Sequence, residues 1–288
     1  MIKTRIHKPV DALSFFFLLF LVLLVLLYYD RIPDLWPRMV RYFLLMGLLA
    51  GPVYARGVWD GPFLRFLHSF MPVALVALIY DSMDMVPYIN PQDRDGWLIQ
   101  LDLYLLGTHP TVWLERITAP WLTELMQVSY TAYYFMPIIL AGVLYRQGRD
   151  EEFDITVFST ILSLYISFIG YMLVPALGPR FTLANLQKIE LKGLLLAEPI
   201  RQTLDFLEGI KRDAFPSGHT AVVVVVLYFA HRYQRSLYYI FLPFVLALVF
   251  STVYARYHYV VDVLAGLLLA LFCVLLGPRL SATFKRLI

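Results

Sequence analysis

The chain has 288 residues, 60% of them hydrophobic and 16% charged, with a formal net charge of +3. Soluble domains average about 45–50% apolar and about 25% charged residues, so the balance excludes an ordinary soluble domain and points to a membrane protein. The single cysteine, Cys273, excludes an internal disulfide and any cysteine-based zinc site, and no basic block suggests nucleic acid as a partner.

The apolar residues fall in blocks long enough to cross a bilayer, which takes about 20 residues per helix. Eight spans are expected, at roughly 12–29, 39–55, 63–80, 121–145, 154–175, 217–232, 237–255 and 259–277. The first follows Lys3, Arg5 and Lys8, as a signal peptide would. Tyr28-Tyr29-Asp30-Arg31 then offers no small-residue cleavage site, which reads as an uncleaved first span. The second span is the weakest, because it contains Arg41 and Gly51-Pro52. Strand alternation is absent, so the fold class is all-α, a polytopic transmembrane helical bundle. Residues 1–60 form an N-terminal extension of two spans, and 61–288 a six-helix catalytic domain. Lysines and arginines in the short loops place both termini on the cytoplasmic side. The 81–120 loop, which carries Asp81, Asp84, Asp93, Asp95 and Asp102, then lies outside, as do the polar segments around Arg180, His219 and His258.

These three segments carry the chemistry. His258 precedes Asp262 by four residues at the start of a helix, so the carboxylate can reach the imidazole and leave its other nitrogen as a nucleophile. An interfacial ion pair that anchors the helix end would look the same. His219 follows Pro216-Ser217-Gly218, a helix-start signal with Ser217 as candidate N-cap. The unpaired N–H groups of that first turn favour an anion, and Gly218 would let a phosphate approach the backbone. A protonated His219 there is placed to donate to a leaving oxygen, and an ordinary capped helix with an interfacial histidine is the plainer reading. Arg180 offers a planar fork for phosphate oxygens, or equally an anchor in the headgroup region, and Arg256 has the same two readings. Ser217 and His219 are two apart on a helix and cannot form a nucleophile–base pair.

The remaining candidates read as structural. His68 should be satisfied by a neighbouring helix, and Asp81 and Asp84 should be solvated. Tyr130, Tyr133 and Tyr134 should belong to an aromatic belt without chemistry. The segment from Asp102 to Trp121 reads as an interfacial helix over the site. No metal constellation or cofactor motif is present, so no cofactor is expected.

Together, Pro216-Ser217-Gly218-His219 and His258 followed by Asp262 resemble the type 2 phosphatidic acid phosphatase superfamily over about residues 60–277. The resemblance implies a phosphohistidine intermediate at His258, leaving-group protonation by His219, and orientation by Asp262. It also implies phosphate contacts from Arg180, Ser217 and Gly218. Two cations of the usual phosphatase pattern are missing, with Leu173 and Thr252 in their places, and Arg256 is the candidate replacement for one. Pro175-Ala176-Leu177-Gly178-Pro179-Arg180 and His258-Tyr259 look more like the inositolphosphotransferase branch, which includes inositol phosphorylceramide synthases. The expected protein is therefore a metal-independent lipid phosphatase or phosphotransferase. Its substrate is a membrane lipid phosphate, and its acceptor is water or an alcohol such as inositol. A transporter would hold its ionisable groups nearer the midplane. A non-catalytic lipid-binding protein would not need the Asp262–His258 pair.

Overall fold

The computed structural model describes residues 7–59, 61–209 and 212–287. The described residues form an all-α bundle. Its helices are α1 (Pro9–Leu27), α2 (Leu35–Val58), α3 (Pro62–Tyr80), α4 (Val86–Ile89), α5 (Asp95–Leu106), α6 (Pro110–Trp113), α7 (Pro120–Arg146), α8 (Asp150–Leu173), α9 (Pro179–Thr182), α10 (Ala197–Glu208), α11 (Gly218–Tyr233), α12 (Arg235–Tyr254) and α13 (Val260–Leu287). The eight predicted apolar runs all become long helices. Among the described residues six stretches are long and apolar enough to cross a membrane, those of α1, α3 to α4, α7, α8, α12 and α13. The expected eight spans are thus not all met. Helix α2 is too polar, carrying Arg38, Arg41 and Arg56, and α11 has only 16 residues.

Local sequence explains where these helices begin. Pro9, Pro62 and Pro120 stand in first turns, where a missing N–H costs nothing. Helix α8 opens on Asp150, Glu151 and Glu152, which suit the positive end of the helix dipole. It is the most deeply buried of the six spans. Three of its hydroxyl residues donate to the preceding turn, Thr160 to Thr156 O, Ser163 to Thr160 O, and Ser167 to Ser163 O, whereas Ser159 Oγ is buried without a hydrogen-bond partner.

Helix α1 packs into the same core as α8 and α13. The ring of Phe17 stacks on Tyr165 at 4.1 Å, and the Tyr165 hydroxyl donates to Ser14 Oγ at 2.9 Å. At the same end of the bundle as the start of α1, Lys8 pairs with Asp154 at 2.6 Å. Nearby, the buried His68 Nε2 lies 2.7 Å from Asp11 Oδ2, and Arg56 Nη1 donates to His68 Nδ1 at 2.9 Å. His68 is satisfied by neighbouring helices, as expected. Asp81 and Asp84 differ from expectation: they are exposed but not merely solvated, because α2 brings Arg41 and Arg38 beside them at 2.9 and 2.6 Å.

Candidate active site

The segments around Arg180, His219 and His258 meet at the other end of the bundle. Main-chain hydrogen bonds tie them together. Arg180 N–H donates to Arg256 O at 2.9 Å, Ala214 N–H to Ala176 O at 3.2 Å, and Ser217 N–H to Asp262 O at 3.0 Å. Gly178 has φ +88°, and a Cβ there would stand 2.5 Å from Tyr257 O, so the crossing of the first and third segments requires glycine.

Two buried aspartates of the 81–120 segment organise the same crossing. Asp95 accepts from Leu177 N–H and Gly178 N–H, both at 2.9 Å, and from the Tyr259 hydroxyl at 2.8 Å. Asp102 accepts from Val260 N–H at 3.0 Å and Val261 N–H at 2.9 Å, capping α13 from another helix. Burial raises the Asp102 carboxyl above its ordinary pKa, opposed by those two N–H donors. Helix α5 thus acts as a brace, with Trp97 and Tyr104 exposed, and it begins and ends earlier than the single helix expected from Asp102 to Trp121.

His258 is 4% exposed, and its Nδ1 lies 2.8 Å from the carbonyl of Ala214. A carbonyl only accepts, so Nδ1 carries the proton and Nε2 keeps its lone pair. Asp262 Oδ2 stands farther from Nδ1, at 3.6 Å, because it accepts the Tyr259 N–H at 2.8 Å and closes the first turn of α13. Ala214 O thus makes the short contact to the ring, and Asp262, the orienting group expected from the sequence, stands within ion-pair distance of the same nitrogen. The other Asp262 oxygen, Oδ1, is buried with no hydrogen-bond partner.

His219 lies 5.8 Å from His258, ring centre to ring centre. Ser217 caps α11, its Oγ accepting the Thr220 N–H at 3.3 Å, as the sequence predicts. Packing gives Gly218 a reason of its own. A Cβ there would meet the Tyr171 hydroxyl at 2.5 Å, so the missing side chain admits α8. Ser217 and Gly218 sit behind the pocket, which is lined by Arg180, His219, Arg256 and His258 among others.

Arg180 faces the pocket with Nη1 on Asp205 Oδ1 at 2.6 Å, and its guanidinium stacks 5.3 Å from the Tyr257 ring. Arg256, at φ +66°, sends Nη2 to Glu115 at 2.8 Å and to Ile189 O at 2.6 Å. That side chain tethers two outer loops, and its Nε is buried without a partner. Neither Leu173 nor Thr252 supplies a charge. Leu173 is exposed, and the buried Thr252 accepts the N–H groups of Tyr257 and His258 at its carbonyl, both at 3.0 Å.

Several pocket residues escaped the sequence reading. Tyr130 is 1% exposed, with its hydroxyl 3.3 Å from His219 Nδ1, and the Tyr133 ring centre is 4.3 Å from that of His219. These tyrosines are not a lipid-facing belt. They lie three and four residues apart on the inward face of α7, a periodicity visible in the sequence. Glu208 Oε1 faces His219 Nε2 at 3.6 Å and accepts from the Tyr134 hydroxyl at 2.7 Å. Burial works to raise the Glu208 carboxyl, but His219 and Tyr134 together hold it below its ordinary pKa. Asp213 Oδ2 accepts from Tyr80 at 2.6 Å. Burial first, and then Glu208, push the Asp213 carboxyl above its ordinary range. Among the described residues no group of histidines, cysteines and carboxylates is arranged to hold a metal ion.

Comparison with known proteins bears on the family. The chain is 29% identical over 175 residues to a PA-phosphatase related-family protein of Dictyostelium discoideum. That match covers 54% of this chain and 32% of the relative, so the chain spans about a third of that protein's length. No solved structure matches. The profile of the PAP2 superfamily matches residues 96–276, from α5 into α13, starting later than the residue near 60 at which the sequence resemblance began. With its signature segments drawn into one pocket of a membrane-type helical bundle, the chain belongs to the PAP2 superfamily.

Proposed function

We propose that this protein is a metal-independent lipid phosphate phosphatase or phosphotransferase that works through a phosphohistidine at His258. The observation that carries the reading is the free Nε2 of His258, held by Ala214 and facing a pocket that His219 and Arg180 also line. In the first half-reaction Nε2 attacks phosphorus and the bond to the leaving oxygen breaks. His219 gives its proton to that oxygen. In the cationic form that acts as the acid both ring nitrogens carry protons: Nδ1–H donates to the Tyr130 oxygen, and Nε2–H, the proton given up, lies on the side toward Glu208. Asp262, 3.6 Å from Nδ1, stabilises the cationic phosphorylated ring. Phosphate oxygens are met by Arg180, by the His219 N–H in the first turn of α11, and by Nε of Arg256, while Ser217 and Gly218 shape that turn from behind the pocket. In the second half-reaction neutral His219 takes a proton from water or an alcohol, that oxygen attacks phosphorus, and the P–N bond breaks. With Lys3, Arg5 and Lys8 cytoplasmic, the site opens on the outer face.

A second reading narrows the substrate to a phosphodiester, with headgroup transfer in place of hydrolysis, as in the inositolphosphotransferase branch. It is favoured by Asp205, Glu208 and Asp213 in the pocket lining and by the missing cations at Leu173 and Thr252. A dianionic monoester would meet three carboxylates with one well-placed arginine, whereas a diester carries one charge less. The test is product analysis of purified protein with phosphatidic acid and with diester lipids, each with and without inositol or another alcohol. Free phosphate from phosphatidic acid alone supports the phosphatase. A new headgroup ester supports the transferase. No turnover of any lipid phosphate contradicts both.

A further inference from the structure

The catalytic pocket continues past His219 into a second cavity of about 450 Å³ between α3, α7, α8 and α11. Most of that cleft is apolar, with Val76, Ile138, Ile161 and Phe168 along it. Only its junction with the catalytic pocket is charged: Glu208, Asp213 and His219 line both cavities. The walls of the junction are aromatic. Tyr133 and Tyr134 meet edge to face at 4.9 Å and 83°, and Tyr80 and Tyr171 line the opposite side from α3 and α8.

This junction is overcharged for what it holds. Tyr134 donates to Glu208 and Tyr80 to Asp213, so each carboxylate is fixed in place by a neutral group. The nearest cation to Glu208 is His219, at 3.6 Å, and among the described residues no lysine or arginine forms an ion pair with either carboxylate. His219, when protonated, balances at most one negative charge, and among the described residues no other cation pairs with the second carboxylate in this half-buried, tyrosine-walled space. Buried charge is costly unless paired, and tyrosine faces attract organic cations. The Nε2 of His219, itself buried without a hydrogen bond, points to the same junction.

Resting on the phosphoryl-transfer reading above, we propose that the Glu208–Asp213 junction binds an ammonium group carried by the substrate next to its phosphate. The ligand chemistry is a phosphate ester with a cationic nitrogen two carbons from the ester oxygen. The phosphate lies at the histidines, the nitrogen at the carboxylates, and an alkyl chain in the apolar cleft. Two lipid classes present that unit. An aminoalcohol headgroup places the nitrogen on the polar side of the phosphate, and a long-chain amino-alcohol phosphate places it on the alkyl side. A neutral polyol headgroup would leave the second carboxylate uncompensated.

The test is binding to full-length His258→Ala protein in detergent, so that no turnover intervenes. Two matched pairs are compared, each differing in one charge. Phosphocholine is set against 3,3-dimethylbutyl phosphate, and sphinganine 1-phosphate against lysophosphatidic acid. The proposal expects the ammonium member of at least one pair to bind at least tenfold more tightly, and the pair that shows the preference identifies the lipid class. Substituting Glu208→Gln together with Asp213→Asn should erase that preference, with the member lacking the ammonium binding at least as tightly as before. Equal affinity within both pairs overturns the proposal, as does tighter binding of phosphoinositol than of phosphocholine. The first comparison uses one protein, so a misfolded double variant does not affect it. Turnover of lipid phosphates by the parent without any such preference would remove this proposal and keep the reaction, whereas preference without turnover would do the reverse.

Discussion

Each end of the bundle holds a buried histidine beside an aspartate, and the two histidines are built for different purposes. At the end near Lys8, His68 has both ring nitrogens engaged, one by Arg56 and one by Asp11, and is fully buried. At the other end His258 has one nitrogen on Ala214 O and the other free at a pocket. A histidine–carboxylate pair is therefore no sign of catalysis by itself. The difference lies in whether the second nitrogen is left unpaired and given space.

The largest expected effect breaks the comparison at the pocket. His258→Ala should lower turnover by about 10⁴-fold or more, as removal of a covalent nucleophile does, with the melting temperature in detergent little changed. His219→Ala comes next, with a loss of about 10²–10⁴-fold for ordinary alkyl esters. Much of that loss should vanish with a p-nitrophenyl ester, whose leaving group needs no proton. His68→Ala should do the opposite. It leaves Asp11 and Arg56 facing each other across a gap, costs on the order of 3 kcal/mol of stability, and keeps kcat per folded molecule within a few-fold of the parent. Thermal unfolding in detergent measures the first quantity and active-site titration the second. Asp102→Ala removes the cap on α13 and should cost about 1 kcal/mol, with a KM and kcat change that follows the loosened His258 turn.

The smallest effect is a pH dependence at Asp213. Its pKa in the folded protein is raised, so its ionisation costs stability as pH rises from the unfolded value through the folded one. Asp213→Asn removes that cost. The variant should be the more stable at neutral pH, with the advantage fading as pH falls below the carboxylate range. An advantage that grows in acid would mean that Asp213 is held as a favourable anion.

The long apolar runs made the helices legible, because lipid leaves few alternatives for backbone groups. The two motifs, His219 behind a proline-serine start and His258 four residues before Asp262, were legible because local spacing fixes their place on a helix. Long-range polar contacts left no such trace. Asp95 and Asp102 act through loops more than 80 residues away, and nothing in their neighbourhood announces it. Glu208 and Asp213 lie in a polar stretch before Pro216 that resembles any loop. Only the tyrosines of α7 had a readable sign, a helical period, which lipid contact explained equally well. The polarity of α2 likewise reflects partners on α3 and beyond, which composition alone had flagged as weakness.

The central claim is that His258 Nε2 becomes covalently bonded to phosphorus. Purified protein mixed with a lipid labelled at phosphorus, quenched in alkali within the first turnover and digested, measures this directly. The account predicts an acid-labile, alkali-stable label on the peptide containing His258, absent from His258→Ala and accumulating in His219→Ala when the leaving group is p-nitrophenol. Turnover without label on that peptide, or label that persists in His258→Ala, would contradict it.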